Sequence, residues 1–231
     1  MVTKNINYKR LLELFWDFSR YLESLDTLYL DSIIGFSILH DRLLNHQQQM
    51  KRILGNHEYA TDQFQDTCSM LYKDLCDKNF IPMSIWPVMK QGDIKERTKE
   101  DGTNYLQLGA QCVVSAYSYW EEYLRIEIGK AIGVIDKGAV NCDATRLILN
   151  EHVRSNLWGD MRLLRNSIIH NKGVAISDIA KCNIFRWFMP GDFIEFDYLK
   201  MREVFLAMDD FKIYLHNMSL RPSKGIKIPV I

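Results

Sequence analysis

Residues 103–132, TNYLQLGAQCVVSAYSYWEEYLRIEIGKAI, decide the fold class. Val113, Tyr117, Trp120, Leu124 and Ile128 recur at three and four residues, while Ser115, Ser118, Glu122 and Arg125 fall on the other side. That spacing places one apolar stripe on a long amphipathic helix. Gly133 and the run GVIDKGAVNCD end it.

Outward from this helix the same pattern repeats. The prolines stand at 82, 87, 190, 222 and 229, outside every long periodic stretch, which predicts an all-α fold. Residues 6–54 read as one or two amphipathic helices, with Leu11, Leu14, Phe15, Phe18, Leu22, Leu25 and Tyr29 inward. Glu58 to Asn79 read as another helix, with Phe64, Met70, Leu71 and Leu75 inward. Prolines, glycines and mixed charge in 81–102 mark a domain boundary. The expected organisation is therefore an N-terminal helical extension (1–80), a linker (81–102), a helical bundle (103–220) and a basic tail (221–231).

Within the bundle, Asp143 is the expected N-cap of a helix running to about Arg154. A helix over 156–172 is stopped by Gly173, where a left-handed backbone costs least. Ile184 to Phe196 read as a small β-hairpin around Met189-Pro190-Gly191-Asp192. Asp197 caps a last helix to about Met218.

Composition bounds the functional classes. The chain has 231 residues, 47% of them hydrophobic, and 29 basic against 29 acidic side chains. A zero net charge gives no long-range attraction to nucleic acid, so a basic surface must be local. Five cysteines without a CxxC pair predict reduced thiols, with Cys112 in the core, and a cytoplasmic setting. The N-terminal residues lack a secretory pattern. Leu28 to Leu44 are interrupted by Asp31, Ser32, His40, Asp41 and Arg42, too polar for a bilayer. No membrane association is expected. His40, His46, His57 and Glu58 match no metal-ligand spacing, and phosphate-loop, dinucleotide and GxSxG motifs are missing, so no cofactor is expected.

The chemistry is concentrated in residues 160–173, DMRLLRNSIIHNKG. Asn166 and His170 are four apart and share a helical face, and the long Arg165 side chain bends over it. The negative end of the helix favours an imidazolium at His170, which suits general acid or base work. Arg165 offers a donor fork matched to phosphate oxygens, and Asn166 can fix the imidazole tautomer. Such a set suits cleavage of RNA through its own 2′-hydroxyl, without a metal. Local charge agrees: Arg146, Arg154, Arg162, Arg165 and Lys172 against Glu151 and Asp160 give five minus two, or +3.

Arg-Asn-Ser-Ile-Ile-His (165–170), downstream of AQCVVSAYSYWEEYLRIEIGKAIG (110–133), resembles the HEPN superfamily (higher eukaryotes and prokaryotes nucleotide-binding) and its RiboL-PSP-like bacterial branch. The resemblance covers about 103–218. It implies an up-and-down helical bundle that dimerises, bringing two such motifs to one cleft. It implies endoribonuclease activity in toxin–antitoxin or antiviral defence, with an antitoxin or sensor as a possible partner. It also places Glu121, or Glu122 in competition with it, at the family's acidic position. An ordinary ion pair of Glu121 with Arg125 fits the spacing as well. Arg165 could equally pair with Glu121 or Asp160, and Tyr117, Trp120 and Tyr123 fit a core stripe. The competing functions are a non-catalytic dimerisation or nucleotide-binding module and a helical scaffold.

Overall fold

The computed structural model describes residues 6–75 and 88–220. Their order is α1 (Tyr8–Leu54), α2 (Asp62–Thr67), β1 (Ser69–Leu71), β2 (Val88–Lys90), α3 (Gln91–Thr98), α4 (Thr103–Tyr119), a π turn (Trp120–Leu124), α5 (Arg125–Ala131), α6 (Asp143–His152), α7 (Asn156–His170) and α8 (Tyr198–Leu220). The fold is all-α, with one tiny two-stranded sheet among the described residues. No helix among them is long and apolar enough to cross a membrane. The chain forms two compact units, Met1–Thr27 with Gly109–Ile231, and Leu28–Leu108.

The first unit carries the bundle. Val113, Tyr117, Trp120, Leu124 and Ile128 are all buried, so the stripe read from 103–132 is the inner face of α4, the π turn and α5. Cys112 is buried beside it. Trp120 stacks on Trp158 of α7 with ring centroids 4.9 Å apart, and Phe18 and Phe211 meet Trp158 edge-on. Such aromatic burial contributes roughly 2–3 kcal/mol per side chain. The segment before α8 packs closely on α4 where a side chain is absent: a Cβ at Gly109 would stand 2.5 Å from the Phe196 Cβ.

Of three local signals, two worked as expected and the first is displaced by one residue. Asp143 opens α6, although as its first helical residue, with Cys142 at the N-cap position. The α7 helix ends at His170, and Gly173, at φ +80°, donates its N–H back to the Ser167 carbonyl at 3.0 Å. The Asp197 carboxylate accepts the Lys200 N–H at 2.8 Å and starts α8.

The turn at 189–192 forms, with Gly191 at φ +94°, but no strand lies in 184–196. Its second limb pairs with the segment after α7 instead, through the Val174–Phe193 bridge and Ile194 N–H to Gly173 O. The cause is Asp160. Its buried carboxylate accepts the N–H groups of Asn183, Ile184 and Phe185 at 2.7–3.0 Å, the amides a hairpin would have used.

In the second unit Leu43, Met70, Leu75 and Ile94 form a core with Leu39 and Met89 against it. The helix expected over Glu58 to Asn79 stops at Thr67. Cys68 turns extended (φ −73°, ψ 138°), and Ser69–Leu71 pairs antiparallel with Val88–Lys90, Met70 opposite Met89. Asp66, Thr67, Cys68 and Ser69 are weak helix formers, so cross-strand pairing wins. Phe64 is exposed rather than inward. Residues 76–79, including Cys76, and the tail 221–231 lie outside the described residues, as does 81–87 of the expected linker. The rest of that segment is folded: α3 follows β2, and its Ile94 is fully buried.

Candidate active site and an adjoining cavity

Glu121 stands on the π turn, while the α7 helix positions Arg165, Asn166 and His170 on one element. Leu157, Trp158, Met161, Leu163 and Leu164 face the core and fix its rotation. Arg162, Arg165, Asn166 and His170 are thereby left at its wet side, from exposed to half-buried. At the C-terminal end, Arg165 Nη1 lies 2.6 Å from His170 Nε2 and 3.3 Å from Asn166 Oδ1. A guanidinium can only donate, so Nε2 is the acceptor in this contact. The expected trio is together. Asn166 reaches the imidazole only through Arg165, since no direct bond joins the two side chains.

Arg165 pairs with neither Glu121 nor Asp160. Asp160 serves the loop at 183–185. Glu121 stands in the wall of a cavity of about 310 Å³, lined also by Tyr117, Arg125, Asn150, Ser155, Trp158 and Arg162. Arg165, Asn166 and His170 are not part of that wall. There the ordinary ion pair forms: Arg125 Nη1 to Glu121 Oε2 is 3.2 Å, with the Arg125 side chain only 11% exposed. Arg125 also donates to Asn150 Oδ1 and the Val153 carbonyl. Burial, reinforced by the Glu121 charge, pushes the Tyr117 hydroxyl up to about 12, so it stays protonated and donates to Glu121 Oε2 at 3.3 Å. Glu122 is exposed and accepts from Asn141 Nδ2 at 2.6 Å, so Glu121 is the one that faces a concave site.

The π turn makes this possible. Arg125 N–H reaches back five residues to the Trp120 carbonyl, and the wide turn carries Trp120 and Glu121 at its start. Such insertions recur at functional sites. Sequence spacing offered Arg125 but missed Asn150, Arg154 and Trp158 as neighbours of Glu121, because α6, α7 and the loop between them supply these three. Arg162 carried a signal: it sits one turn before Asn166 on α7, inside the basic span. Aromatic residues read as core behave so at Tyr117 and Trp120, while the half-buried Tyr123 hydroxyl donates to Asp17 at 3.0 Å. Among the described residues no three metal-ligating side chains cluster. No family model, curated protein or solved structure matches the chain.

Proposed function

We propose that the protein is an endoribonuclease that needs no metal, with His170 as the base, Arg165 as the phosphate-binding cation and Asn166 as their positioning neighbour. The observation that carries this reading is the contact of the Arg165 guanidinium with the exposed His170 imidazole, 2.6 Å apart at a helix end. Without substrate, Arg165 covers the Nε2 lone pair. A phosphodiester oxygen is the stronger acceptor and draws the guanidinium away, because charge-assisted bonds are roughly twice as strong as neutral ones. Nε2 is then free to take the 2′-hydroxyl proton.

The 2′-oxygen forms a bond to phosphorus, the bond to the 5′-oxygen breaks, and that oxygen leaves with a proton returned from the imidazolium. The products are a 2′,3′-cyclic phosphate and a 5′-hydroxyl. Arg165 stabilises the charge that builds on the phosphoryl oxygens. The nucleophile belongs to the substrate, so DNA is inert to this step.

The HEPN resemblance extends the reading to a homodimer whose two clusters share a cleft, and to a toxin or antiviral-defence role in the cytoplasm under an antitoxin or sensor. The test incubates RNA in EDTA with wild type, His170→Ala and Arg165→Ala. Cleavage by the wild type alone, leaving 2′,3′-cyclic phosphate ends, supports the proposal. Equal inactivity of all three proteins would leave the non-catalytic binding module as the better account.

A further inference from the structure

The other end of α7 holds an assembly that the cleavage chemistry leaves unused. Three guanidiniums, Arg125, Arg154 and Arg162, line the cavity there against one carboxylate, Glu121, an excess of two positive charges. Arg125 is committed to Glu121, Asn150 and Val153, and Arg154 donates through Nε to the Asn150 carbonyl. Arg162 lines the cavity and makes no hydrogen bond or ion pair among the described residues.

The cavity also receives the N-terminus of α7, a 15-residue helix whose N-cap, Ser155, makes no side-chain capping bond. First-turn amides left open in this way carry partial positive charge and bind anions. Two donors in the same wall are orphaned. Ser155 Oγ and Trp158 Nε1 are buried without a partner, and Trp158 is only 2% exposed. An indole N–H left unpaired inside a protein costs roughly 1–3 kcal/mol unless something completes it. The guanidiniums in this wall outnumber its one carboxylate and the α7 amides only donate, so the cavity suits a multivalent, negatively charged acceptor. The volume, about 310 Å³, holds a tetrahedral oxyanion and part of what carries it.

We propose that this cavity binds a phosphoryl group, free or at the end of a nucleotide chain, through Arg162, Arg154 and the first-turn amides of α7, with the Trp158 ring in its wall. Glu121 then anchors Arg125 at the rim of a phosphate site. Arg162 lies eight residues before His170, about 12 Å along the helix at 1.5 Å per residue. None of Arg165, Asn166 and His170 lines the cavity, so the site is distinct from that cluster and does not depend on cleavage.

The test titrates the full chain with inorganic phosphate at constant ionic strength and follows the Trp158 indole N–H resonance, assigned by its loss in Trp158→Phe. A saturable shift is expected in the wild type and in His170→Ala. Arg162→Ala, at an exposed position, should weaken it about tenfold or more, and Arg162→Lys should recover part of the loss. Comparison of 5′-phosphorylated with 5′-hydroxyl oligonucleotides identifies the source: tighter binding of the phosphorylated strand assigns a strand end, equal binding a free phosphate. The absence of a saturable shift, an unchanged shift in Arg162→Ala, or its loss in His170→Ala would overturn the proposal. RNA cleavage assayed on the same proteins keeps this outcome separate from the fate of the ribonuclease reading.

Discussion

The two ends of α7 present the same chemistry in opposite ways. At the C-terminal end Arg165 and His170 touch at the surface, local in sequence and open to water. At the N-terminal end Glu121, Arg125, Arg162 and Trp158 meet from distant segments around a cavity, and Trp158 is embedded in the aromatic core. The first arrangement costs the fold little and can rearrange on binding. The second is held by the packing itself, so chemistry and stability there are inseparable.

That contrast is open to direct attack, beginning where the effect is largest. Trp158→Ala removes a ring that stacks on Trp120 and meets Phe18 and Phe211. Chemical denaturation should show a loss of about 3–5 kcal/mol. His170→Ala should change stability by less than about 0.5 kcal/mol, as exposed substitutions do. Its RNA cleavage should nevertheless fall by about 10²-fold or more, read from initial rates. A His170→Ala protein as destabilised as Trp158→Ala would erase the distinction between the two ends.

Smaller effects separate helix starts. Asp197→Ala deletes the cap of α8 and should cost about 1 kcal/mol. Ser155→Ala deletes a residue that caps nothing and should cost under about 0.5 kcal/mol. Equal losses would mean that the α7 start is an ordinary capped terminus. The Asp197 contribution also has a pH signature. Burial raises its carboxyl, but the Lys200 side chain and backbone N–H more than offset this, so it lies below the usual carboxylate range. A carboxylate lowered by folding stabilises above its unfolded pKa, near 4, and loses that contribution as pH falls through the lowered value. The stability difference between wild type and Asp197→Ala should therefore shrink on acidification below about pH 4.

What the sequence disclosed follows the range of the forces involved. Helix α4, the stop at Gly173 and the Asp197 cap depend on residues within a few positions, and all three were legible. The Arg165–His170 contact likewise spans only five residues. The pairing of Met70 with Met89 and the capture of the 183–185 amides by Asp160 span about twenty residues, and periodicity does not register them. Glu121 shows the boundary most clearly. Its ion pair with Arg125 was readable at i, i+4, whereas the cavity around that pair was not.

The π turn at Trp120–Leu124 fixes how much length variation this helix can absorb. It holds one residue more than the ladder on either side requires, a reserve that a single deletion would consume. Regularising the turn with every residue kept would instead swing everything downstream by about 100°. Ile128, Ala131 and Ile132 would then leave the interior together. The apparent irregularity is what keeps two stretches of one long helix in phase with a single core.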